Sequence, residues 1–141
     1  MNDPLYISLI NSKGCYPALA WEWVRTALDA GVTNYIIFCA DDESFKELSS
    51  GGLRVKRIRP EDYPIPKIGP RANHLTKKFG KIPFLKLVAL EDSLQDGGPV
   101  VFTDIDAFIQ KDPSIPLKKL LRDHDVLIST VKRADAYPAF A

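Results

Sequence analysis

Near position 100 the chain runs Val100-Val101-Phe102-Thr103-Asp104-Ile105-Asp106, an apolar stretch ending in two carboxylates spaced i, i+2. Two hard oxygen donors at that spacing can hold a divalent cation, and a cation so held can clamp a diphosphate. In an open α/β sheet ligands bind in the crevice outside the carboxyl ends of the strands, so a pair placed there points at a bound molecule. Spacing alone decides little. The chain has 13 Asp in 141 residues, and Asp123-His124-Asp125 repeats the pattern. Context separates the two copies. Asp123 and Asp125 precede the apolar run Val126-Leu127-Ile128, a position where turns and caps are usual. Asp104 and Asp106 follow a strand and are flanked by Ile105, Ala107, Phe108 and Ile109. Such neighbours make two close carboxylates costly unless a cation or hydrogen bonds offset their repulsion. The plainer alternative is a solvated turn between two short strands.

The elements that must position this pair alternate between strand and helix. Leu5–Ile10 reads as a first strand, broken by Asn11-Ser12-Lys13-Gly14. Pro17 suits the first turn of a helix whose apolar face is Ala20, Trp21, Val24, Ala27 and Leu28, with Gly31 as its stop. Tyr35–Ala40 is a fully apolar second strand, as a parallel sheet covered on both faces requires. Asp41-Asp42-Glu43-Ser44 opens a short helix through about Leu48, its acids favourable at the N-terminus. Leu53–Ile58 alternates and is expected at an edge. Pro60, Pro64, Pro66 and Pro70 punctuate a long loop. Pro83 to about Gln95 forms a helix with Phe84, Leu87, Val88, Leu90 and Leu94 as its apolar face. Gly97-Gly98 then turns into the strand that carries Asp104. A helix near Leu117–Leu121 and a strand at Val126–Thr130 follow. This order predicts right-handed crossovers and one mostly parallel sheet with helices on both faces, an α/β fold in a single domain over residues 1–141.

Composition bounds the partners. Net charge is +1, from 19 basic and 18 acidic residues, so no global field recruits nucleic acid or an anionic membrane. Ten Lys and Arg lie between Leu53 and Lys86 against only Glu61 and Asp62. That run is either a solvated face or part of a phosphate-binding surface, with Arg71 and His74 as candidate contacts. Aromatics are not interleaved at base-stacking intervals, which argues against single-stranded nucleic acid. No apolar run is long enough to span a membrane, and Met1-Asn2-Asp3-Pro4 is not a secretory signal. Cys15 and Cys39 are lone residues in apolar surroundings, so neither a disulfide framework nor a zinc site is indicated. A reducing, cytoplasmic compartment is the simplest expectation.

The stretch from Phe84-Leu85-Lys86 through Thr103-Asp104-Ile105-Asp106 to Lys111-Asp112-Pro113 resembles the core of nucleotide-diphospho-sugar transferases with the Rossmann-like GT-A fold. It is most similar to the retaining group that includes glycogenin-like enzymes and the plant cell-wall xylosyl- and arabinosyltransferases. That pattern has a Lys in the helix before the DxD strand, the Asp-x-Asp itself, and a short apolar strand ending in Asp-Pro. Gly31 through Asp42 resembles the same group's second strand, which ends in an acidic residue. The resemblance implies a metal-dependent glycosyltransferase, with Mn²⁺ or Mg²⁺ as cofactor, a UDP-sugar as donor and a carbohydrate or protein hydroxyl as acceptor. Asp104 and Asp106 match the metal-binding pair, Asp106 as a ligand and Asp104 contacting the metal or the ribose, and Ile105 between them belongs to the nucleotide-sugar site. Lys86 matches the lysine that approaches the donor. Asn11 and Tyr16 sit where such enzymes place base-contacting residues, and Asp42 matches the acidic residue after the second strand. Catalytic residues are not assigned: family members continue into an acceptor-binding half with another metal ligand, commonly a His. The resemblance therefore makes residues 1–141 the donor-binding part, and turnover by them alone is not expected.

Each residue also has a plainer role. Helical periodicity alone makes Lys86 a surface lysine, Asp42 suits a helix N-cap, Tyr16 a core or rim aromatic, and Asn11 a turn. Two other functions share some of these features. A haloacid-dehalogenase-like phosphatase also has Asp-x-Asp after an apolar strand, with the first Asp as nucleophile, but Ala107-Phe108 stands where that pattern has Gly-Thr. A non-catalytic nucleotide-binding or interaction module would keep the sheet without the chemistry.

Overall fold

The computed structural model describes residues 2–63 and 81–128. The chain alternates β1 (Leu5–Ile10), α1 (Tyr16–Asp29), β2 (Tyr35–Cys39), α2 (Asp42–Ser50) and β3 (Val55–Arg57). After a single 3₁₀ turn at Pro60–Asp62 come α3 (Lys81–Leu94), β4 (Val100–Phe102) and α4 (Ser114–Leu120). The four strands form one sheet in the order β3-β2-β1-β4, every pair parallel. The alternating β3 is an edge, as its sequence indicates. The two apolar runs, β1 and β2, lie side by side in the middle. Their residues Ile7, Ile37 and Phe38 are sealed from solvent, because helices cover both faces of the sheet.

One core lies between the sheet and α1 with α2, built around Tyr6, Trp23, Ile37 and Leu48. The other lies between the opposite face and α3, with Ile7, Phe38, Leu85, Val88 and Ala89. Helix α1 starts with Pro17 in its first turn and leaves through Gly31, whose φ of 90° is a conformation that suits glycine. Its buried face is Pro17, Ala20, Trp23, Val24 and Ala27. Trp21 and Leu28, expected on that face, are exposed at 40% and 48%. Trp23 takes the core position because its indole N–H finds the Thr103 hydroxyl at 3.0 Å, which satisfies its polar end. Trp21 lies over Gly51, where no side chain would fit beside its ring.

Helix α3 is rotated by about one residue from the expected face. Leu85, Val88 and Ala89 are buried, whereas Leu87 and Leu94 are 64% and 53% exposed. Small residues explain the choice: Ala89 and Ser93 let the helix approach the sheet, and Ser93 satisfies its hydroxyl on the Ala89 carbonyl at 2.7 Å. At about 100° per residue, this rotation brings Lys86 from the outer surface to the flank of the buried stripe.

Past β4 the structure departs further from expectation. Residues Ala107–Ile109 form no strand. The Ala107 N–H donates to the Asp104 carbonyl at 2.9 Å, closing a turn. Asp112 then organises the start of α4, accepting from the Ser114 N–H at 2.9 Å and from its hydroxyl at 2.5 Å. Tyr6 from β1 joins this group through its hydroxyl, 3.0 Å from Ser114 Oγ. Burial is the main cause that raises the Tyr6 pKa. The expected strand at Val126–Thr130 is absent over Val126–Ile128, where Val126 and Ile128 are 72% and 80% exposed. A strand needs a neighbouring ladder, and no described residue supplies one there; the rest of that segment, with Arg71, His74 and most of the Pro-rich loop, lies outside the described residues. Among the described residues no helix is long and apolar enough to cross a membrane. Both described cysteines are free. Cys39 is buried, but Cys15 is exposed rather than set among apolar groups.

Candidate functional site

The strand order places a switch point between β1 and β4. From β1 the chain moves outward through β2 to β3, and α3 then carries it back across the other face to the far side of β1. The loops that follow these neighbouring strands leave from their carboxyl ends, where ligands of open α/β sheets bind. A cavity of about 250 Å³ occupies that position. Leu9, Ile10 and Asn11 contribute from the end of β1, Tyr16 from the start of α1, and Ala40 from the end of β2. Lys86 contributes from α3, and Asp104, Ile105 and Asp106 from the segment after β4.

That last segment is held by both its backbone and its side chains. Thr103 N–H donates to the Ile7 carbonyl at 3.0 Å, continuing the ladder, and the buried Ser8 hydroxyl donates to the Thr103 carbonyl at 2.8 Å. With Trp23 on its hydroxyl as well, Thr103 is fixed from two elements. Ile105 and Ile109 are buried in the α1-side core and pin the following turn. Within that turn Ile105 is buried while Asp104 and Asp106 on either side of it are exposed. The expectation that apolar neighbours would desolvate the carboxylates is therefore not met. The isoleucines turn away from the pair and serve as its anchors.

Lys86 Nζ pairs with Asp104 Oδ1 at 2.5 Å and stands 5.4 Å from the centroid of the Phe102 ring. Both charged side chains keep solvent contact, 34% and 60% exposed, so the pair orients Lys86 more than it stabilises the fold. The surface position that helical periodicity alone gives Lys86 is thus corrected by the rotation of α3. Six of the seven residues that the resemblance assigns to the site line the cavity; Asp42 is the exception. Its carboxylate takes the Arg57 Nε at 2.7 Å, and that hydrogen bond is the main cause holding its pKa below the usual carboxylate value. Nor is Asp42 the helix cap. That role falls to Asp41, whose extended backbone and Oδ1 acceptance from the Ser44 N–H at 2.8 Å are those of an N-cap.

Several functional positions escape sequence reasoning. Leu9, Ile10 and Ala40 line the cavity without any chemical signature, and only the strand order shows that they converge. Asp41 was visible as an acid after β2 but could not be told from Asp42 beside it. Cys39 is buried one residue before the cavity lining, and burial pushes its thiol up to about 11, so it is an inert apolar group at neutral pH.

Among the described residues no group of three or more His, Cys, Asp or Glu is placed to enclose a metal. Two exposed carboxylates on one wall suit a different arrangement. Mg²⁺-like cations keep several waters and are held by one or two carboxylates together with substrate phosphates. The oxygen donors of Asp104 and Asp106 fit that requirement.

The sequence model of the family described as nucleotide-diphospho-sugar transferase matches residues 30–139. The matched span holds Lys86, Asp104, Ile105 and Asp106, whereas Asn11 and Tyr16 precede it. No curated protein matches the chain.

Proposed function

The chain belongs to the nucleotide-diphospho-sugar transferase family, and from that membership we propose that the cavity at the carboxyl edge binds a UDP-sugar through a divalent cation. The family supports glycosyl transfer and favours it over the phosphatase alternative. In this reading Asp106 and Asp104 would hold Mn²⁺ or Mg²⁺, which would supply Lewis-acid stabilisation of the diphosphate. When the glycosidic bond to the diphosphate breaks, negative charge grows on the leaving group. Lys86, already beside Asp104, meets that charge with its ammonium, an interaction that strengthens toward the transition state. Asn11 and Tyr16 receive the nucleoside, and the sugar passes to a hydroxyl of a carbohydrate or protein acceptor. The choice of uridine rests on the resemblance carried by Lys86 through Pro113.

The observation that supports this reading best is the convergence of Lys86, Asp104 and Asp106 with Asn11 and Tyr16 around one cavity at a switch point. Calorimetric titration of UDP with and without Mn²⁺ tests it. Wild-type protein binds UDP far more tightly with Mn²⁺, and Asp106→Ala removes that gain, a loss of about a hundredfold or more. UDP binding indifferent to both the cation and the substitution would contradict the proposal.

A further inference from the structure

One side chain outside the cavity ties together two loops that border it. Asp41 caps α2 through Oδ1, and its Oδ2 accepts the Ser12 N–H at 2.7 Å. Ser12 lies in the loop between β1 and α1, 29 residues away in sequence. Its loop neighbours Asn11 and Tyr16 line the cavity. The loop also folds on itself. Asn11 Oδ1 accepts the Lys13 N–H at 3.0 Å, Gly14 takes a φ of 57°, and the Tyr16 N–H donates to the Lys13 carbonyl at 3.3 Å. The amides of Ser12 and Lys13 are thus committed to side-chain oxygens. A glycine-rich phosphate loop does the opposite and aims such amides at the anion.

We infer that Asp41 is a positioning residue for nucleotide binding. Its carboxylate holds the β1–α1 loop in the shape that presents Asn11 and Tyr16 to a nucleoside, and it leaves the diphosphate to Lys86 and to the cation that Asp104 and Asp106 would hold. The inference rests on the function proposed above. It needs both oxygens as acceptors, which an ionised carboxyl provides. Burial works against ionisation of Asp41, but the Ser12 and Ser44 amides outweigh it and hold the carboxyl below its usual value.

Serine ranks beside aspartate as an N-cap, yet its single short oxygen cannot serve Ser44 and Ser12 together. Asp41→Ser in the full chain therefore separates the cap from the tether. The variant keeps the cap and should fold, melting only a few degrees below wild type through loss of the Ser12 hydrogen bond. Hydrogen exchange at Ser12 should quicken, and UDP binding in the presence of Mn²⁺ should weaken roughly tenfold. Asp41→Asn, with an amide nitrogen in place of one acceptor, should weaken binding to a similar degree. Equal UDP affinity in wild type and Asp41→Ser overturns the inference, as does unchanged exchange at Ser12. Failure of both variants to fold would make Asp41 a structural cap and overturn it too. Wild-type protein that ignores UDP with Mn²⁺ brings down the proposed function and this inference together.

Discussion

A cavity of about 250 Å³ lies at each end of the sheet, and the two differ in which groups line them. At the amino end, Asn34 Nδ2 donates to the Pro4 carbonyl at 3.2 Å, and the Ser93 hydroxyl donates to the Ala89 carbonyl. Asp3 there pairs with Lys118 of α4 at 2.5 Å. Asn34 and Asp3 fasten one chain segment to another, Ser93 bonds within its own helix, and Arg54 and Asp96 also line this cavity. At the carboxyl end the fastening falls to Thr103, Trp23 and Asp41 behind the wall and to Ile105 within it. The wall itself presents two exposed carboxylates and an ammonium, whose pairing leaves both partners in contact with solvent. Cavity size does not tell the two ends apart. Strand direction does, because parallel strands deliver several loops to the same end and the side chains on those loops converge.

Removing a charge from the carboxyl-end wall sharpens this contrast most. Lys86→Ala should weaken UDP binding about tenfold, the worth of one charge-assisted hydrogen bond, while the melting temperature stays close to wild type because both partners of the Lys86–Asp104 pair keep solvent contact. Calorimetry beside a thermal melt checks both halves. A large drop in melting temperature would make Lys86 a fastening group like those at the other end.

Acid should produce a smaller effect, on stability. Asp41 at the carboxyl end and Asp112 beside Tyr6 both have pKa values below the usual 3.8. For Asp41, burial opposes the shift and the Ser12 and Ser44 amides overcome it; for Asp112, the Ser114 hydroxyl is the main cause. A carboxyl with a depressed folded pKa adds stability that is present above its unfolded value and lost as pH falls through the folded one. Melting temperature should therefore be flat from neutral pH to about pH 5 and decline below about pH 4. A decline between pH 7 and pH 6 would point to other groups.

How much the sequence shows depends on whether a residue's role is set by its neighbours in the chain or by distant ones. Strands β1 and β2 are legible because burial on both faces requires a continuous apolar run. The DxD segment is legible because it follows such a run. The faces of α1 and α3 are not, since the most apolar arc is not the one that packs. Trp23 displaces Trp21 because Thr103, 80 residues away, completes its hydrogen bonding, and α3 turns toward Ala89 and Ser93 because small side chains permit close approach to the sheet. Asp41 and Asp42 look alike in sequence. What separates them is Ser12 on one and Arg57 on the other, both brought there by the sheet.

The central claim is that the carboxyl-end wall, and not its amino-end counterpart, holds a cation and a diphosphate. Paramagnetic broadening by Mn²⁺ in the amide NMR spectrum, recorded with UDP present, tests it most directly. The account predicts broadening at Thr103–Ala107 and at Asn11–Tyr16, with Asn34, Arg54 and Asp96 spared. Broadening centred on the amino end, or none at either, would contradict it.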